Sequence, residues 1–135
     1  MATQIFVNLP VKDLDKSIAF FTALGYTFNP QFTDANATCM IISENIFTML
    51  LVEPFFKGFT DKEIVNAHKS TEVLMGLSAD SRAGVDDLVN KAVAAGGIEP
   101  RPAQDHGFMY SRNFSDLDGH IWEIFWMNPE HVNSL

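Results

Sequence analysis

Glu123 stands between Ile121 and Phe125 in an apolar run, at the two-residue period of a strand. A carboxylate held among apolar neighbours is costly unless it is paired or hydrogen-bonded. Two roles meet that demand. Glu123 is tied to Arg112 or to a backbone group, or it serves chemistry, as the catalytic general base or as the partner of a cationic ligand group. Tyr110 and Arg112 share a strand face with Phe108 and are candidate polar anchors in the same cavity. His106, in the run Gln104-Asp105-His106-Gly107, is either an exposed loop residue or a ligand-binding residue at the cavity rim. His120 follows the Gly119 turn and suits a structural role better than a ligand role. His68 and His131 have no suggestive partner. The chain has no phosphate-cradling glycine loop, nucleophile elbow, paired-cysteine motif or HExxH sequence.

The elements that must position these residues come twice. Gln4–Val11 reads as a strand, with Ile5, Val7, Leu9 and Val11 alternating with Phe6, Asn8 and Pro10. Asp13 is a helix cap, and Leu14, Ile18 and Phe21 recur at helical spacing up to Gly25. Tyr26–Phe32 reads as a strand weakened by Pro30. Ala37–Ile42 and Ile46–Val52 then form a hairpin around Ser43-Glu44-Asn45. The order restarts about 70 residues later, an offset too long for a solenoid. Glu72–Ala79 is a strand, and Ser81 caps a helix carrying Val85, Leu88, Val89, Ala92 and Ala95 up to Gly96-Gly97. Ile98–Pro102 is a short extended run, and Phe108–Phe114 and His120–Trp126 flank the Asp118-Gly119 turn.

The fold class expected is α+β: one domain over 1–135, with a first βαβββ module over about 1–53, a connection over 54–70 and a second module over about 71–128. Val7, Leu9 and Val11 pack under the first helix, and Met75, Leu77 and Ala79 under the second. The opposite strand faces are left to line a concave cavity. Trp122 and Trp126 fall on the face opposite Glu123, where core or dimer contact is expected. Phe55, Phe56 and Phe59 make the connection aromatic, as a linker folded on the core or as a lid over a pocket mouth.

Composition narrows the partners. With 135 residues, 47% of them hydrophobic and 19% charged, the chain can bury a core. A formal charge of −8 with nine scattered basic residues argues against nucleic acid. That charge serves solubility, or it favours cationic ligands. The single cysteine, Cys39, lies in an apolar run and fits a buried residue in a reducing compartment. No apolar run is long enough to span a bilayer and no signal-like segment opens the chain, so a soluble cytoplasmic protein is expected.

Two stretches carry a resemblance. Phe6-Val7-Asn8-Leu9-Pro10-Val11-Lys12-Asp13-Leu14-Asp15-Lys16-Ser17, with Phe20-Phe21 and Leu24-Gly25, resembles the opening strand, turn and helix of the vicinal oxygen chelate superfamily. Phe114-Ser115-Asp116-Leu117-Asp118-Gly119-His120-Ile121-Trp122-Glu123 resembles its closing hairpin, with Leu117 where proline is usual. The superfamily includes glyoxalase I, bleomycin- and fosfomycin-resistance proteins and extradiol dioxygenases. The resemblance implies two βαβββ modules forming an incompletely closed, U-shaped barrel around a ligand, and a homodimer. In the metal enzymes of the superfamily, the first and last strands of each module supply His, Glu or Gln ligands to one divalent ion.

Those positions fall here on Phe6, near Met49, on Leu74 and on Glu123. Only Glu123 is a competent ligand, and neighbouring residues such as Val7, Thr48, Leu50, Val73 and Met75 do not rescue the set. Asn8 and Glu72 are the nearby polar substitutes. The resemblance therefore implies a protein that binds a small molecule without a cofactor, in a cavity lined by Phe6, Asn8, Met49, Leu74 and Glu123. The alternative it implies is a glyoxalase-like lyase or isomerase, or a dioxygenase, using Glu123 with a Ni, Zn, Fe or Mn ion.

Overall fold

The structure is a computed structural model that describes residues 2–130, so His131 lies outside the described residues. The class is α+β, and backbone contacts divide the chain into two compact units, Met1–Asn66 and Ala67–Leu135.

The first unit runs β1 (Ile5–Val11), α1 (Leu14–Ala23), β2 (Thr27–Asn29), β3 (Ala37–Ser43) and β4 (Ile46–Val52). Its sheet has the order β1-β4-β3-β2, with β1 parallel to β4 and the other pairs antiparallel. Asp13 caps α1 by accepting from the Lys16 N–H at 3.1 Å. The buried stripe of α1 is Leu14, Ser17, Phe20 and Phe21. Ile18 is only half-buried, because the stripe is centred one residue away from the expected position. The strand expected over Tyr26–Phe32 stops at Asn29, since Pro30 opens a single 3-10 turn over Pro30–Phe32. The β3–β4 hairpin is as expected, with a register shift between Ile41 and Ser43. Beyond β4 come a short helix, α2 (Glu53–Phe56), and a 3-10 turn over Lys57–Phe59.

The second unit repeats the plan with β5 (Leu74–Ser78), α3 (Arg82–Ala94), β6 (Gln104–Asp105), β7 (Met109–Ser115) and β8 (Ile121–Met127). Its sheet order is β5-β8-β7-β6, again with one parallel pair, β5 and β8. Ser81 Oγ accepts from the Gly84 N–H at 3.0 Å, the same capping device as Asp13. Val85, Val89 and Ala92 are the buried residues of α3. The extended run expected over Ile98–Pro102 is reduced to one bridge, Ile98 to Ser115, and the edge strand forms at Gln104–Asp105 instead. Two prolines, Pro100 and Pro102, explain the shift, since neither can donate to a ladder.

Strand alternation places each core. In β1, Leu9 and Val11 are buried while Phe6 and Asn8 are exposed. In the second unit Phe114, Trp122 and Ile124 are at most 1% exposed, and α3 makes its sheet contacts with β7 and β8. The helix side of each sheet is therefore closed with apolar side chains, and the other side is left with a mixed lining.

Candidate functional site

The register of the second sheet decides what can meet Glu123. Its partner in β7 is Asn113 and its partner in β5 is Gly76. Alternation along the ladder puts Ser111, Phe125, Met109 and Met127 on the same face. These residues, with Gln104, Arg101, Pro102 and the edge residue Arg112, line a pocket of about 400 Å³ wholly within this unit. Gly76 has no side chain to crowd the carboxylate, and the nearest atom to a Cβ built there is Phe125 Cε1 at 3.6 Å. Glu123 itself is half-buried, and its side chain makes no hydrogen bond or ion pair among the described residues. Beside it, Asn113 Oδ1 is buried and also has no hydrogen-bond partner among the described residues.

Arg112 is not the partner of Glu123. It pairs in register with Ile124, so its side chain leaves the sheet on the helix side. There Nε and Nη2 donate to Glu99 at 2.9 and 2.8 Å, Nη1 donates to Asp86 at 2.9 Å, and Nη2 also donates to Asn90 at 3.0 Å. Tyr110 goes the same way, and its hydroxyl donates to Asp86 Oδ1 at 2.6 Å. The structural tie between Arg112 and Glu123 is thus corrected by one fact of strand parity, that residues of even number in β7 face α3; the polar groups of Tyr110 and Arg112 are engaged there, while Arg112 still borders the pocket. The network is well matched. The Arg112 fork holds Glu99 below the ordinary carboxylate range. Asp86 is held down first by the Tyr110 hydroxyl and then by Arg112, and Asp86 in turn raises the phenol of Tyr110.

The aromatic residues on that side have structural work. Trp122 is 1% exposed, and its indole donates to Asp116 Oδ2 at 2.9 Å. Trp126 and Tyr110 flank the Arg82 guanidinium, which lies 5.2 and 5.1 Å from their ring centres and forms a two-armed pair with Asp105 at 2.8 Å. Trp126 therefore packs on a cation of its own unit.

The histidines do not join Glu123. His106 is exposed, its N–H donates to the Met109 carbonyl, and its ring centre lies 6.3 Å from that of Phe108. It is not among the residues lining the pocket. His120 belongs to the turn, with its N–H donating to Asp116 Oδ1 at 3.0 Å, as a structural histidine should. Glu72 is exposed and precedes the start of β5. Leu74 lies on the Glu123 face, beside Ile121, and is 54% exposed.

In the first unit, Phe6 and Phe47 are ladder partners and stack at 4.8 Å, and Asn8 pairs with Met49 on the same face. None of Phe6, Met49 and Leu74 offers the oxygen or nitrogen donors that a borderline or hard divalent ion needs, which leaves one carboxylate, Glu123. Among the described residues no group of three or more His, Cys, Asp or Glu is placed to hold a metal ion. The residues present therefore do not fit the divalent centre that the resemblance implies for the enzymes.

Solved structures match the chain over more than nine-tenths of its length. Residues 3–43 match the family described as bleomycin resistance protein-like N-terminal. The hypothetical protein SA1046 from S. aureus is 30% identical, with 93% of this chain and 95% of that chain covered and a TM-score of 0.78. A glyoxalase/bleomycin resistance protein/dioxygenase family enzyme from Burkholderia phytofirmans PsJN shares the fold at a TM-score of 0.76 and 16% identity, over 93% of this chain and 99% of that one. The chain has the fold of glyoxalase/bleomycin resistance/dioxygenase structures, and residues 3–43 carry the match to the bleomycin resistance protein-like family. The fosfomycin resistance protein FosX from Listeria monocytogenes, solved with Mn(II) and sulfate, has the same fold at a TM-score of 0.70 and 18% identity, over 96% of this chain and 94% of that one. The sequence matches no curated protein.

The sequence does not single out Asn113, Ser111, Gln104, Met109 or Met127 as site residues. A signal for three of them was present: pairing β7 with β8 through the Asp118-Gly119 turn puts Asn113 opposite Glu123, and alternation then adds Ser111 and Met109. Gln104 could not be found that way, because β6 lies where no strand was expected.

Proposed function

We propose that this protein binds a small organic molecule in the pocket over Glu123, without the divalent-metal centre of the superfamily's enzymes. The observation that carries the reading is an unpaired carboxylate in a pocket of about 400 Å³ that also presents Met109, Phe125 and Met127. Such a mixture of apolar walls and a few polar groups is the usual make-up of a small-molecule site. In this proposal Leu74, on the Glu123 face of the second sheet, belongs to the binding surface, and Arg112 borders it. The protein acts as a cytoplasmic homodimer of single-domain chains and engages neither nucleic acid nor a membrane. No helix among the described residues is long and apolar enough to cross a membrane.

The test joins metal analysis to a binding screen. Purified protein should carry no stoichiometric Ni, Zn, Fe or Mn, and its melting temperature should be unmoved by a chelator. Small neutral, anionic and cationic fragments, screened by amide chemical shifts, should perturb residues of β7 and β8 around Glu123. One tightly held metal ion per subunit, or a screen in which no fragment perturbs these strands, would overturn the reading. Turnover of a substrate that is abolished in Glu123→Gln would replace it with the lyase, isomerase or dioxygenase reading.

A further inference from the structure

The pocket is short of donors at one place. Glu123 and Asn113 are direct cross-strand partners, which sets their Cβ atoms about 5 Å apart on one face of the sheet. Both present oxygen acceptors without a donor. The carboxylate of Glu123 has no partner among the described residues, and neither does Oδ1 of Asn113, which is also buried from water. A buried acceptor left unmade is unfavourable, and the imbalance is removed by any group that brings donors to both.

No charged donor of the protein pairs with the carboxylate, and the neutral donors that border the pocket, Ser111 and Gln104, make no hydrogen bond to it among the described residues. On the β5 side of Glu123 stands Gly76, which has no side chain at all. The guanidinium of Arg112 is spent on Glu99, Asp86 and Asn90 on the opposite side of the sheet. Arg101 borders the same pocket but is an exposed residue, so water screens its charge. The apolar part of the wall is Pro102, Met109, Phe125 and Met127, which accommodates an apolar body and its π-face.

We infer that the ligand enters this pocket with a cationic nitrogen head bearing at least two N–H donors, an amidinium, guanidinium or primary ammonium, that pairs with Glu123 and, once the buried Asn113 amide rotates toward it, with Asn113 Oδ1, while its apolar body lies on Met109, Phe125 and Met127. The inference rests on the proposed small-molecule site and names the chemistry it selects. A charged donor against a carboxylate and a neutral amide oxygen makes the stronger kind of hydrogen bond at one end, and the second acceptor fixes orientation. Neutral ligands of the same shape, such as a primary amide, meet the same walls and can donate an N–H to the carboxylate, but without a charge, so they bind more weakly.

Benzamidinium and its neutral, near-isosteric relative benzamide separate these cases. Each is titrated into isotope-labelled protein, and amide shifts in β7 and β8 and the side-chain amide of Asn113 are followed. Benzamidine should saturate shifts around Asn113 and Glu123 and bind about tenfold more tightly than benzamide. Glu123→Gln, which keeps shape and removes the charge, should erase most of that preference, and Asn113→Ala should weaken both probes, while the spectrum stays dispersed. Equal affinity for the two probes, or a preference that survives Glu123→Gln, would overturn the cationic assignment and leave the small-molecule site standing. Perturbation of these strands by neither probe, nor by any other fragment, would remove the site itself.

Discussion

Trp122 donates its indole N–H to Asp116 Oδ2 at 2.9 Å, and both residues are buried, at 1% and 6% exposure. The other oxygen of Asp116 accepts from the backbone N–H groups of Asp118 and His120, each at 3.0 Å. One carboxylate thus holds the β7–β8 turn shut and anchors the largest core side chain of its unit. Burial nevertheless pushes the Asp116 carboxyl above its ordinary range, and these donors and the nearby His120 only partly offset the loss of water.

Asp116→Asn tests which of these effects wins. The amide keeps one acceptor oxygen but turns its NH₂ toward a donor, either the indole or the turn N–H groups. Removing a buried charge works in favour of the variant, and mismatching donors works against it. We expect the mismatch to dominate and stability to fall by about 1–3 kcal/mol. Urea unfolding followed by tryptophan fluorescence measures it, and an unchanged midpoint would show that the carboxylate is no more than tolerated.

Much of this turn was legible in advance, because Asp-Gly between two alternating apolar runs admits few other structures. The helix caps Asp13 and Ser81 were legible for the same reason: local chemistry settles them. Register was harder to read. Assigning Tyr110 and Arg112 to the Glu123 face slips β7 by one residue, and one residue exchanges every side chain between the faces. Counting the ladder outward from the Asp118-Gly119 turn gives the right parity. Nothing local marks β6, which exists because Gln104 and Asp105 meet Ser111 and Tyr110 across the edge of the sheet. The Arg112 network was not legible either, since Asp86 and Glu99 approach it only after α3 has docked.

The acid response of the protein follows from these pairs. Arg112 depresses Glu99, Tyr110 and Arg112 depress Asp86, and Arg82 with the Gly107 N–H depresses Asp105. Each depressed carboxylate adds stability above its unfolded value, 4.5 for the glutamate and 3.8 for the aspartates, and that stability is lost as the pH falls through the native value. Asp116 has the opposite sign: its raised value means that protonation favours the folded state. With three groups against one, melting temperature should fall as the pH drops from about 6 to about 2.5. The slope should be modest, because Asp86 and Asp105 side chains are 45% and 53% exposed and water screens them. Arg112→Gln should lower the melting temperature near neutrality and flatten the acid slope. An equal slope in the variant would place the acid sensitivity elsewhere.

Two glycines with the same backbone habit should respond very differently to alanine. Gly25 and Gly119 have φ of +104° and +90°, where a Cβ is disfavoured. Around Gly25 nothing lies within 4 Å of the added atom, so Gly25→Ala should cost only the left-handed penalty of about 1–2 kcal/mol. At Gly119 the added Cβ would lie 2.7 Å from the His68 nitrogen and 2.8 Å from the Ala67 carbonyl carbon, both backbone atoms. Backbone cannot rotate aside as a side chain can, so either the turn or the segment at 67–68 must shift. We expect Gly119→Ala to cost about 3 kcal/mol or more, the overpacking adding to the conformational penalty. The same segment leads into β5 and the same turn into β8, and these strands hold Gly76 against Glu123. Gly119→Ala should therefore weaken benzamidine binding as well as stability, whereas Gly25→Ala should leave binding unchanged. Equal costs in urea unfolding for the two variants would mean that the contact between Gly119 and residues 67–68 is loose in solution, and that the site does not depend on it.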